Sequence, residues 1–176
     1  MNIHLERPAA EHREKALAFR QEFRDHGENV INGSERLDSI DSYQEWLGNV
    51  CMNADPATVN PDWVVTDTFF AVSDTGDIVG IIDFRHELKG FLKDFGHCGY
   101  SVRPGQRGKG CASAMLAQLI PIAEKAGLSS LQLSVERSNA ASVKTILKNG
   151  GVHVRTFEYD GQPADVYCIR LSDHNG

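Results

Sequence analysis

The sequence predicts an α/β protein in which a mixed sheet carries helices on its faces. Two observations set that expectation. Helical spacing and turn-bounded strand runs succeed one another as helix, helix, antiparallel meander, strand–helix–strand–helix and hairpin. The 176 residues, 41% of them hydrophobic, also match one ordinary domain, long enough to bury roughly 70% of the surface its unfolded chain exposes.

Pro8 to His26 reads as the first helix, with Ala9, Ala16, Leu17, Phe19 and Phe23 near one stripe and Gly27 as its stop. A second helix starts near Ser39 or Asp41 and runs through Tyr43, Trp46 and Leu47, and Asn49 to Asp62 reads as a loop. Thr68–Val72 and Ile78–Arg85 form a hairpin around Ser73-Asp74-Thr75-Gly76-Asp77. His86 to Phe95 is mixed, and His97–Val102 is a strand. Arg107–Ala126 has helical spacing, with Pro121 inside it depriving the Ala117 carbonyl of its partner. Leu131–Glu136 is a strand, and Ser138–Asn149 a helix closed by Gly150-Gly151. Val152–Tyr159 and Ala164–Leu171 pair around Asp160-Gly161-Gln162-Pro163, and residues 172–176 read as a frayed tail.

Composition narrows the partners. No run approaches the roughly 18 apolar residues that span a bilayer. Met1 to Arg13 carries Glu6, Arg7, Glu11 and Arg13, which leaves no apolar signal-peptide centre. A cytoplasmic protein without a membrane partner is expected. The net charge of −6, from 18 Lys+Arg and 24 Asp+Glu, argues against nucleic-acid binding. Cys51, Cys98, Cys111 and Cys168 are scattered, without a CxxC pair or a His at ligand spacing, so they read as packed thiols of a reducing compartment and no metal site is expected.

The segment Val102-Arg103-Pro104-Gly105-Gln106-Arg107-Gly108-Lys109-Gly110-Cys111-Ala112-Ser113 carries the chemistry. A strand ends, glycines let backbone approach a ligand, and a helix N-terminus adds partial positive charge, supplemented by Arg107 and Lys109. Such a turn suits a pyrophosphate. A nucleotide P-loop is excluded because Gly110, not Ser or Thr, follows Lys109. A dinucleotide fold is the runner-up, with Glu136 as its ribose acid, but Ser113 stands where the third Gly belongs and the flanking hairpins are antiparallel.

Pro104-Gly105-Gln106-Arg107-Gly108-Lys109-Gly110-Cys111-Ala112 resembles the PxxRGxGxA signature of the GNAT superfamily of acetyl-CoA-dependent N-acetyltransferases. Arg85-His86-Glu87-Leu88, Gly96 to Pro104 and Asn149-Gly150-Gly151 resemble a bacterial branch of it. The resemblance implies a mostly antiparallel central sheet, a parallel strand pair at the cofactor cleft and helices on both faces. It also implies one acetyltransferase domain over 1–171, with a variable N-terminal part (1–66) and a coenzyme-binding core (67–171).

By the same resemblance, the pyrophosphate rests on the amides of Arg107, Gly108, Lys109, Gly110, Cys111, Ala112 and Ser113. Pantetheine lies along Tyr100, Ser101 and Val102, where a backbone N–H polarises the thioester, and Asn139 and Ser142 hold it from the other side. The family's proton-donating Tyr, seven residues after the Asn, is Ile146 here. Water, Tyr100, Ser142 or Tyr167 is left for that role. The base candidates are Glu87, His97 and Glu136, with Arg85 and His86 beside the acceptor. Cys111 reads as packing, since direct transfer needs no acyl-enzyme, and Trp46 and Trp63 as core. The expected function is transfer of an acetyl group from acetyl-CoA to a primary amine of a metabolite or peptide, by a monomer or homodimer. Two other readings are a non-catalytic acetyl-CoA sensor, suggested by Ile146, and a nicotinamide-dependent enzyme.

Overall fold

Strands β1 (Ile3–Glu6), β2 (Thr66–Ser73), β3 (Ile78–Arg85) and β4 (Tyr100–Val102) pair in that order in the computed structural model, which describes residues 2–172. A second sheet has the order β5 (Ser130–Glu136), β7 (Gln162–Arg170), β6 (Gly151–Tyr159). Both strands of the central hairpin, β2 and β3, are buried on both faces, which explains their nearly continuous apolar runs. Phe69 and Ile82 face one core with Met115, Leu116, Leu119, Leu131 and Ile146. Phe70 and Ile81 face the other with Phe19, Phe23 and Trp46.

All the ladders are antiparallel. The parallel strand pair expected at the cleft is therefore not formed among the described residues. The chain before β4 spends its backbone bonds on β3 instead: Asp83 N donates to Gly99 O (3.1 Å) and Arg85 N to His97 O (2.6 Å). It touches β5 through the isolated antiparallel bridge Gly96–Leu133. Gly96 has φ 85°, and a Cβ there would lie 2.4 Å from Gln132 O, so this crossing requires glycine.

The helices start where caps and glycines dictate. A 3₁₀ turn at Ala10–His12 precedes α1 (Arg13–Asp25), which is shorter than the expected Pro8–His26. α2 (Tyr43–Asn53) is capped by Ser42, whose Oγ accepts from Glu45 N at 3.2 Å, and it claims part of the expected loop because Val50 packs in the core. A single turn, α3 (Leu92–Phe95), falls in the mixed segment. α4 (Cys111–Lys125) begins after Gly108 and Gly110, whose φ of 74° and 83° exclude both from the helix expected to start at Arg107. Pro121 stays inside α4. α5 (Ala140–Lys148) is capped by Asn139, whose Oδ1 accepts from Ser142 N at 3.1 Å.

The last hairpin turns on two residues, Asp160 (φ 51°) and Gly161 (φ 73°), so Gln162 and Pro163 belong to β7 and not to the turn. Ser172 N is held by Glu124 Oε1 at 3.0 Å. The remainder of the expected frayed tail, 173–176, lies outside the described residues. No helix among the described residues is long and apolar enough to cross a membrane.

Candidate active site

A cleft of about 600 Å³ opens between the end of β4, the glycine turn and the starts of α4 and α5. Of the residues expected at the coenzyme, it is lined by Tyr100, Ser101, Val102, Arg107, Gly108, Gly110, Cys111, Ala112, Ser113, Asn139 and Ser142, that is, by all but Lys109. The Lys109 ammonium folds back onto Gly105 O and Gln106 Oε1, both at 3.1 Å.

The turn leaves open space at its glycines. A Cβ placed on Gly108 or Gly110 would meet nothing within 4 Å, so the space above both is open. Helix α4 has no side-chain cap, the first amides of a helix have no intrahelical acceptors, and Cys111, Ala112 and Ser113 line the cleft there. These features fit a pyrophosphate. Burial pushes the Cys111 thiol up to about 11, which leaves it protonated and packed.

The cleft has walls that the sequence reading did not assign. Glu28, Val30 and Asn32, from the segment after α1, face β4 across it, and Ser101 Oγ donates to Asn32 O at 2.9 Å. Lys144 and Lys148, one helical turn apart on α5, add positive charge; their spacing was visible in the sequence. Arg107 contributes differently from expectation, because its guanidinium is held by Glu28 and lies over the Phe23 ring at 5.5 Å.

Two further cavities adjoin. One of about 340 Å³ lies between β4 and β5 and is lined by Arg85, Tyr100, Glu136, Asn139 and Ser142. The other, about 600 Å³, lies under the α1–α2 loop and is lined by Glu35, Asp38, Asp62, Trp63, Asp83 and Arg85. Asn32 lines all three. Trp46 is core as expected, whereas Trp63 is half-buried and borders the acidic cavity.

The residues expected on the acceptor side separate. Arg85 donates to Asp83 Oδ2 (2.9 Å) and Gly96 O (2.9 Å). Glu87 pairs with Lys89 at 2.9 Å and His86 with Asp67 at 2.6 Å, and neither lines any of the three cavities. His97 Nδ1 accepts from Gln132 N at 2.9 Å, and burial beside Arg85 pushes the imidazole down to about 4, so it is neutral and tied into the junction with β5. Of the three base candidates, Glu136 borders one of these cavities, the one between β4 and β5. Gly99 N–H is committed to Asp83 Oδ1 at 2.6 Å. Ile146 is 1% exposed in the core and Tyr167 is buried against His153, which leaves Tyr100 and Ser142 of the proposed proton donors at the cleft.

The family model for the acetyltransferase (GNAT) domain matches residues 2–152. The chain belongs to the GNAT acetyltransferases. It is thereby an enzyme of the acyltransferase class, from a family that uses acetyl-CoA. No curated protein sequence matches it significantly. Among solved structures it is similar to RimL, a ribosomal alpha-N-protein acetyltransferase in complex with coenzyme A, with TM-score 0.71 at 14% identity over 97% of this chain and 95% of that one. Mycobacterium smegmatis RimJ, in complex with CoA-disulfide, gives TM-score 0.71 at 17% identity over 99% and 84%. Vibrio cholerae spermidine N-acetyltransferase gives 0.64 at 12% over 97% and 95%. At these identities the likeness is one of GNAT fold. Within this acetyltransferase the glycine turn opens on the cleft of about 600 Å³.

Proposed function

We propose that the chain transfers an acetyl group from acetyl-CoA to a primary amine by direct attack in a ternary complex. The observation that carries this reading is the open anion turn at the uncapped start of α4, continuous with a cleft floored by β4. Pyrophosphate would rest on the amides from Arg107 to Ser113, with Lys144 and Lys148 close by. Pantetheine would follow Tyr100–Val102, held from the α5 side by Asn139 and Ser142. Direct attack holds two reactants in one geometry and so converts a bimolecular step into an effectively unimolecular one.

Residues 1–171 act as one acetyltransferase domain in this reading, and the four free cysteines suit a reducing, cytoplasmic setting. Relatives of similar fold are named for acetylating spermidine and a ribosomal protein, both amine acceptors. Tyr100 is the donor we favour for the departing thiolate, since burial pushes its hydroxyl up to about 12 and keeps the proton on it.

Thermal unfolding with and without acetyl-CoA tests the coenzyme. A ligand at about 100 times its Kd adds about 2.7 kcal/mol, a rise of roughly 5 to 10 °C for a chain of this size. No shift at saturating acetyl-CoA would sink the reading. The buried Ile146 favours one second reading, a coenzyme-binding module without turnover. A full thermal shift with no transfer across a broad amine panel would select it.

A further inference from the structure

The two sheets meet at one junction and then part. Gly96 bridges to Leu133, and His97 N donates to Gln132 O at 2.7 Å. Past that junction no ladder joins β4 to β5 among the described residues. The wedge between them holds the cavity of about 340 Å³, a size within the roughly 300–1,000 Å³ of pockets that take small molecules.

The inner walls of the wedge are apolar. Cys98, Leu133, Val135, Ile146 and Ala164 line it, and none is more than 8% exposed. Phe95 closes one side, in edge contact with Phe157 (6.2 Å between centroids) and Tyr159 (5.1 Å), which also line the space. Ile146 presents an aliphatic side chain where the family resemblance implied a phenol. Several polar side chains around the cavity already have partners within the protein. Ser134 Oγ donates to Phe95 O (3.0 Å), Arg85 donates to Asp83 and to Gly96 O, and Asn139 Oδ1 accepts from Ser142 N. Glu136 is exposed. A ligand entering the wedge therefore meets mainly hydrocarbon.

The wedge is continuous with the coenzyme cleft: Asn32, Tyr100, Asn139 and Ser142 line both. In the transferase reading pantetheine runs from the glycine turn back along β4, so its thioester end lies at Tyr100, among the shared residues. An acetyl methyl there leaves most of the wedge unfilled.

We propose that the wedge between β4 and β5 receives the hydrocarbon tail of a straight-chain acyl-CoA, of butyryl to hexanoyl length, and that such donors are preferred over acetyl-CoA. The inference rests on the transferase reading and deepens it by naming the donor. The bonds exchanged are the same for any acyl group. The neutral amine nitrogen forms the C–N bond at the acyl carbonyl carbon, and the C–S bond breaks with its electron pair on sulfur. The thiolate takes the Tyr100 proton and the tyrosinate regains one from nitrogen, so amine and thioester give amide and thiol.

Calorimetry of acetyl-, butyryl- and hexanoyl-CoA binding to the wild-type protein tests the assignment. Each buried methylene should tighten binding about fourfold, the factor that corresponds to about 0.8 kcal/mol. Butyryl-CoA should then bind about 15-fold tighter than acetyl-CoA, at high salt as at low, and kcat/KM with any accepted amine should rise in the same order. Affinity that is flat or falls with chain length would overturn the inference, leaving the transferase reading standing and the wedge open to the acceptor. No thermal shift with any of the three would overturn both. Ala164→Leu fills the wedge from β7, and the gain with chain length should disappear while acetyl-CoA affinity holds. A folded variant that keeps the gain would place the tail elsewhere and overturn the assignment. Ala164→Val makes the same test with a smaller side chain if leucine disturbs β7, and circular dichroism checks the fold of either.

Discussion

Arg107 in the glycine turn grips Glu28, in the segment after α1, through two hydrogen bonds of 2.7 Å each. The fork-to-carboxylate geometry is the strong kind, and it holds the Glu28 carboxyl below the usual carboxylate range while raising the guanidinium. It also sets an acid beside the glycine turn and joins the cleft wall to it, a contact that would compete with the coenzyme for Arg107 in the proposed reading.

Glu28→Gln is therefore expected to tighten acetyl-CoA binding by several-fold, more at low salt than at high, as read by calorimetry at two ionic strengths. Its effect on stability should stay within about 1 kcal/mol, because both side chains are well exposed, at 47% and 37%. Weaker binding in the variant would mean that Glu28 organises the cleft and does not compete within it.

Gly108→Ala and Gly110→Ala carry two separable costs. The left-handed φ of 74° and 83° should lower stability by about 1 to 2 kcal/mol at each position, whatever the ligand. The added methyl enters open space that the bound anion would fill in the proposed reading, so the acetyl-CoA-dependent stabilisation should also shrink. Denaturant melts with and without acetyl-CoA separate the two. A variant that loses stability but keeps the full ligand effect would move the anion site elsewhere.

What the sequence made legible was local. Asn139 announces its helix because a cap needs only its own side chain and an amide three residues on, whereas α2, expected to start near Ser39 or Asp41, is capped by Ser42. Asp160-Gly161 announces the last hairpin because that turn needs two positive φ values. The glycine turn itself was readable for the same reason, since glycines, strand end and helix start are contiguous. What stayed hidden depends on distant partners. β1 is four residues whose strand character comes from pairing with β2. The expected parallel pair failed because the chain before β4 bonds to β3.

His97→Asn tests whether the imidazole is a base or a strut. The Asn Oδ1 can replace Nδ1 as acceptor for Gln132 N–H, so fold and activity should hold within a few-fold. The folded imidazole is pushed down to about 4, below the ordinary value of about 6.5 for the unfolded chain. Below pH 6.5 the unfolded state thus takes up a proton that the folded state refuses, and stability is lost as pH falls towards 4. The variant lacks this loss, so wild type should weaken relative to it in urea melts run from pH 7 down to pH 4.5. A large drop in turnover with unchanged acid stability would restore His97 as a catalytic candidate.

Tyr100→Phe removes the hydroxyl we assign to the departing thiolate and leaves the ring in place. That hydroxyl lies 3.5 Å from the Ser142 carbonyl, and Tyr100 lines both the coenzyme cleft and the cavity between β4 and β5. Because burial raises it to about 12, it holds its proton across the neutral range and is available as a donor at every pH at which the enzyme would be assayed. Thiolate leaves more readily than alkoxide, so the expected loss in kcat is about 10- to 100-fold, at the low end for a general acid. Acetyl-CoA affinity should change by less than about threefold, since the packing surface remains. A donor thioester with a more acidic thiol should lose less, because its thiolate needs less protonation to depart. Ser142→Ala is the control: Tyr100 meets the main-chain carbonyl of Ser142, so deleting the serine hydroxyl leaves that contact intact. If Ser142→Ala slows turnover and Tyr100→Phe does not, the proton comes from the α5 side of the cleft and the assignment passes to Ser142.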